Sequence, residues 1–249
     1  MVRGLDTFKE YFKGIENQYV IIGGAACDIL FASNEGQFRA TRDLDVVLIV
    51  EALTPEFGER FWKFIESGKY RSKATSVGKP QFYRFDKPEN ESYPKMIELF
   101  ARTDFVLKEM DGLTPIHIDD EMSSLSAILL NNDYYNVLLA GKAVVWELSV
   151  LRPEYLLLFK VKAYLDLSER KEEGEKVDSR DIKKHKNDIL RIVTEFILDK
   201  VDALPETVHM DVENFIKKLG EEPFDANLLK KYGLNKEEVV DRLRQLYGL

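Results

Sequence analysis

The sequence predicts an α+β fold, with a sheet-bearing domain over residues 1–150 and a helical domain over 151–249. Three observations carry the prediction. The apolar run Tyr19-Val20-Ile21-Ile22 meets Gly23-Gly24 and then the helix-like Ala25-Ala26-Cys27-Asp28-Ile29-Leu30. Carboxylates interrupt strand-like segments, as Asp43-Leu44-Asp45 running into Val46-Val47-Leu48-Ile49-Val50, and as Glu98 inside Met96-Ile97-Glu98-Leu99-Phe100. From Pro153 onward Tyr155, Leu156, Phe159, Ala163 and Leu167 recur at helical spacing, and no convincing strand follows.

In chain order, Leu5 to Ile15 reads as an amphipathic helix, Tyr19 to Ile22 as a short strand, and a helix is expected close after Gly24. After the strand that starts at Asp43, Thr54-Pro55 opens a helix through Glu66, with Thr54 as N-cap, Pro55 at the first helical position and Phe57, Phe61 and Phe64 on the buried face. Arg71 to Val77 and Pro80 to Phe85 read as strands around a turn at Gly78, Lys95 to Arg102 as the strand of Glu98, and Thr114 to Ile118 as an extension of the sheet. Asn132 to Leu139 reads as a short helix before a strand from Ala143 to Trp146. In the second domain the charged stretch Ser168 to Val177 is expected to be a solvated helix end or loop. Ile182, Ile189, Ile192, Val193 and Phe196 mark the next helix, with further helices over Pro205 to Leu219, near Leu228, and over Lys236 to Tyr247.

With 249 residues and 45% hydrophobic content, the chain can bury a sizeable core. It lacks an apolar run approaching the ~20 residues needed to span a bilayer, and Met1-Val2-Arg3-Gly4-Leu5-Asp6 has no signal-peptide pattern, so a cytoplasmic protein with no membrane partner is expected. Cys27 is the single cysteine, which excludes an internal disulfide and fits a small buried hydrophobe. A formal net charge of -8 argues against broad, sequence-independent attraction to DNA or RNA. The basic cluster Arg180, Lys183, Lys184, His185 and Lys186 mixes two helix faces and suits an ordinary solvated surface. His117, His185 and His209 lack the spacing of a helical zinc pair, and Tyr134, Tyr135 and Trp146 fit packing better than stacking on a base.

The acids carry the chemistry. Residues i and i+2 of a strand share a face, about 6.6 Å apart, so Asp43 and Asp45 project together while Leu44 faces the core. Carboxylates brought to about 4 Å would repel by roughly 4 kcal/mol at an effective dielectric near 20, and a divalent cation converts that repulsion into binding. Hard oxygen ligands favour Mg²⁺ or Mn²⁺, which usually also bind substrate phosphates, and this points to a nucleoside triphosphate. Gly23 and Gly24 supply the phosphate side, because glycine lets backbone N–H groups approach closely and the following helix start offers unpaired donors. An unpaired Glu98 among Ile97, Leu99 and Phe100 should not be fully buried, so it joins the metal set unless strand alternation turns it to water. Lys160 could neutralise triphosphate charge, and a solvated helix lysine explains it equally well.

These elements, Ile22-Gly23-Gly24, Asp43-Leu44-Asp45-Val46 and Glu98, resemble the signature of the polymerase β-like nucleotidyltransferase superfamily. The resemblance implies a mixed twisted sheet with flanking helices and a C-terminal helical domain. It also implies a metal-dependent reaction in which an acceptor attacks the α-phosphorus of a nucleoside triphosphate and pyrophosphate leaves. Asp43, Asp45 and Glu98 would then be catalytic metal ligands, with Glu98 as a general base. Arg39-Ala40-Thr41-Arg42, together with Lys160-Val161-Lys162-Ala163 and the helix bearing Asp188, is similar to the abortive-infection toxin branch, the enzyme half of type IV toxin-antitoxin pairs. That likeness nominates Lys160 and Asp188 as catalytic, Arg39, Thr41 and Arg42 as phosphate or ribose contacts, tRNA, other nucleic acid or protein as acceptor, and a cognate antitoxin as partner. Two departures stand out: eighteen residues separate Gly24 from Asp43, longer than the family's spacer, and Gly24 replaces a frequent serine. Two alternatives stand beside this reading: a small-molecule, antibiotic-type nucleotidyltransferase, and a non-catalytic nucleotide-binding or interaction protein on the same scaffold.

Overall fold

The computed structural model describes residues 2–33, 41–74, 82–101, 128–129, 131–221, 229–230 and 232–249. The expectations for Arg39, for the strand at Thr114 to Ile118, for the turn at Gly78, for His117 and for a helix at Leu228 lie outside the described residues. The chain divides into two units: Met1–Ile118 with Lys142–Arg152, and Asp119–Gly141 with Pro153–Leu249.

Among the described residues, the first unit is built on a seven-stranded mixed sheet. Its strands are β1 (Tyr19–Ile22), β2 (Asp43–Leu48), β3 (Arg71–Ala74), β4 (Phe82–Asp86), β5 (Met96–Phe100), β6 (Lys142–Val145) and β7 (Leu148–Leu151), in the spatial order β3-β4-β5-β2-β1-β7-β6. β2 runs antiparallel to β1 and parallel to β5, while β7 lies parallel to β1. β3, β4 and β5 form an antiparallel run, and β6 and β7 form a hairpin.

The helices of this unit are α1 (Leu5–Phe12), α2 (Gly23–Ser33) and α3 (Pro55–Gly68). α1 is shorter than its apolar pattern predicts, because the chain leaves the helix at Lys13 and turns through Gly14 at φ +83°. Pro55 opens α3 as expected, but Thr54 makes no side-chain cap bond. Its backbone N–H and its hydroxyl both donate to Gln18 Oε1, at 2.9 and 3.2 Å. Phe8 and Phe12 of α1 meet Phe57, Phe61 and Phe64 of α3 and Tyr19 of β1 in a buried aromatic cluster that reaches Phe85 on β4. Such ring pairs each contribute about 0.5–1.5 kcal/mol beyond the area they bury.

Strand alternation then sorts the two faces of the sheet. Phe85 is opposite Ile97, and Ile97 is opposite Leu44, so these side chains share the aromatic face. Asp43, Asp45, Glu98 and Arg84 belong to the other face.

The second unit is helical: α4 (Asn132–Gly141), α5 (Pro153–Glu172), α6 (Ser179–Glu195), α7 (Glu206–Glu221) and α8 (Lys236–Tyr247). α5 runs through Glu172, so the charged stretch from Ser168 begins as a helix end, one of its two expected forms. Tyr134 of α4 is buried edge-on against Phe159 of α5, and its hydroxyl donates to Asp211 of α7 at 2.9 Å. α8 begins at a capping box, in which Asn235 accepts from the Glu238 N–H and the Glu238 carboxylate accepts from the Asn235 N–H. Cys27 is buried, and no helix among the described residues is long and apolar enough to cross a membrane.

Candidate active site

Pairing register assembles the site. β2 and β5 run parallel with Asp43 opposite Met96 and Asp45 opposite Glu98, and β4 continues the row by placing Arg84 opposite Glu98. On the other side of β2, Asp45 lies opposite Ile22, the last residue before Gly23. Cross-strand partners share a face, so Arg84, Glu98 and Asp45 form one rung, with Asp43 one repeat along the same face of β2.

Gly23 closes the row. It opens α2 with φ +65°, and a Cβ there would lie 2.0 Å from Asp45 Oδ2. Any other residue would suffer left-handed strain of roughly 1–2 kcal/mol and would push the Asp45 carboxylate aside. Gly24 is buried in the same first turn, where helical N–H groups have no intrahelical acceptor.

The electrostatics of Glu98 follow from its neighbours. Burial pushes its carboxyl above the ordinary range, and the nearby Asp43 charge pushes the same way. The Arg84 guanidinium and a hydrogen bond with Asp45 oppose that rise. Arg84 donates from Nε at 2.9 Å and from a terminal nitrogen at 2.5 Å, both to Glu98 Oε1. Sequence reasoning did not single out Arg84. Its signal was a lone cation between Tyr83 and Phe85, on a strand whose pairing with β5 the sequence does not spell out.

The donor chemistry of this row suits a hard divalent cation, with carboxylate oxygens from two adjacent strands and the Asp45 carboxylate packed against Gly23 where only a residue without a Cβ fits. Among the described residues no group of three or more His, Cys, Asp or Glu is set to hold a metal as the side chains stand.

Thr41 and Arg42 precede β2, the first half-buried and the second exposed. Lys160 on α5 and Asp188 on α6 belong to the helical unit, where Lys160 Nζ donates to Asp188 Oδ2 at 2.8 Å with side chains only 6% and 2% exposed. Lys162 instead pairs with Asp211. Tyr134, Tyr135 and His185 are buried in the helical unit, whereas Trp146 is exposed in the β6–β7 turn.

No family model matches the chain, and no curated protein matches it. Among solved structures, it is similar to an antigenic nucleotidyltransferase-like protein from Paracoccidioides brasiliensis, at 13% sequence identity and a TM-score of 0.46, over 99% of this chain and 96% of that one.

Proposed function

We propose that the chain is a metal-dependent nucleotidyltransferase that moves a nucleoside monophosphate from a nucleoside triphosphate to an acceptor. The observation that carries the reading is the position of Asp45, whose carboxylate stands between Glu98 of the neighbouring strand and the glycine that opens α2. A carboxylate pair and a helix start, which in general favours anions, therefore adjoin each other.

In this reading Asp43, Asp45 and Glu98 would hold Mg²⁺ or Mn²⁺, which supplies charge neutralisation to the triphosphate and the acceptor oxygen. The N–H groups at Gly23 and Gly24 would receive phosphate oxygens. Glu98, made more basic by burial, is suited to take the acceptor's proton as the new bond to the α-phosphorus forms and the bond to pyrophosphate breaks. Thr41 and Arg42, at the entry to β2, would contact phosphate or ribose.

The finer reading, a toxin acting on tRNA, another nucleic acid or a protein and restrained by an antitoxin, rests on the likeness of Arg39-Ala40-Thr41-Arg42, Lys160 and Asp188 to the abortive-infection branch. One observation favours a second reading. The hold of Arg84 on Glu98 is what a nucleotide-binding protein without turnover would retain.

Incubation with each labelled nucleoside triphosphate and Mg²⁺ or Mn²⁺ tests the proposal, with RNA, the protein itself and an antibiotic-type small molecule offered as acceptors. Metal-dependent transfer that disappears in Asp43→Asn and Asp45→Asn is expected, and the labelled acceptor then selects among the substrate classes. Nucleotide binding with no transfer under any metal favours the second reading. Transfer that survives Asp45→Asn removes the first.

A further inference from the structure

We propose that Arg84 is the resting occupant of the acidic rung, holding Glu98 where a divalent cation would, so that the cation must displace the guanidinium in order to load. The inference rests on the reading of the site given above. Both Arg84 hydrogen bonds end on one oxygen of Glu98, and the two side chains are only 20% and 10% exposed, so solvent and salt screen the pair weakly. Register fixes the arrangement: Arg84 faces Glu98 and Glu98 faces Asp45 across strands about 4.8 Å apart, so the guanidinium leaves only by changing its own rotamer.

Arg84 brings one positive charge to a cluster of three carboxyl groups. A divalent ion among the same acids would bring two and would repel the guanidinium beside it. Displaced from Glu98, the Arg84 fork stays on the face that carries Asp43 and Asp45, and its planar donors match phosphate oxygens. Arg84 thus exchanges a carboxylate for a phosphate, which couples loading of the cation to loading of the triphosphate.

Titration of the full chain with Mn²⁺ in the absence of nucleotide, followed by the electron paramagnetic resonance signal of free Mn²⁺, reads this competition without turnover. Arg84→Gln is expected to bind Mn²⁺ about tenfold more tightly than the unsubstituted chain. Adding Glu98→Gln to that variant should remove the gain. Arg84→Lys keeps a charge without the fork and should fall between; it also serves if Arg84→Gln fails to fold. Binding by Arg84→Gln, or by Arg84→Lys in its place, that is no tighter than that of the unsubstituted chain overturns the proposal. The site reading survives that result if Asp45→Asn weakens Mn²⁺ binding, and falls with it if Asp45→Asn changes nothing.

Discussion

Glu98 is drawn in two directions, upward in pKa by burial and downward by Arg84, and the upward pull dominates. Its folded-state pKa therefore lies above the ordinary carboxyl value, so the native protein holds this proton more tightly than the unfolded chain does. The linked stability is present at low pH and is lost as pH rises from the ordinary carboxyl value through the folded one. Urea denaturation from about pH 4 upward should show Glu98→Gln gaining relative to the unsubstituted chain across that window and holding a constant offset above it. Lys160 and Asp188 form an ion pair at 2.8 Å with both side chains buried. Lys160→Met should cost about 3–5 kcal/mol in urea unfolding, because it strands a buried carboxylate, and adding Asp188→Asn should recover part of the loss. The sequence showed which acids share a face of β2 and that Glu98, if unpaired, should not be fully buried; Glu98 is in fact buried and paired with Arg84. It did not show the pairing with Arg84, because that depends on β4 lying beside β5 with Arg84 opposite Glu98.

The β6–β7 hairpin is the element least visible in the sequence. Its turn residues, Trp146 and Glu147, both have positive φ, at 51° and 62°, where asparagine and glycine are the usual occupants. Without that signature Leu148–Leu151 was not singled out as a strand, and the strand expected from Ala143 to Trp146 ends one residue early, at Val145. Glu147 is tied down by Lys13 at 2.6 Å and by Lys9 at 3.5 Å, whereas Trp146 is exposed. Trp146→Asn should relieve left-handed strain and stabilise the protein by about 1 kcal/mol, read as a rise in thermal midpoint of a few degrees at most. Elements with conventional punctuation were legible. Tyr19–Ile22 has the predicted bounds, Pro55 opens α3, and α8 begins after Asn235 and ends at Tyr247.

Across the whole molecule, the chain passes from the sheet unit to the helical unit, returns for residues 142–152, and leaves again. A sequence read as two consecutive domains places α4 with the sheet. In the structure its Tyr134 is committed to Phe159 and Asp211. A chain ending at residue 141 would lack β7 and leave β1, whose four residues are all buried, as a bare edge. That truncation should elute as aggregate in size-exclusion chromatography, whereas one ending at Arg152 retains all seven described strands. The same interleaving sets an order for synthesis on the ribosome. β1 is made before the strand that covers its edge, so that edge stays unpaired until Leu148–Leu151 has cleared the exit tunnel, and the Tyr134 hydroxyl of α4 waits longer still, for Asp211.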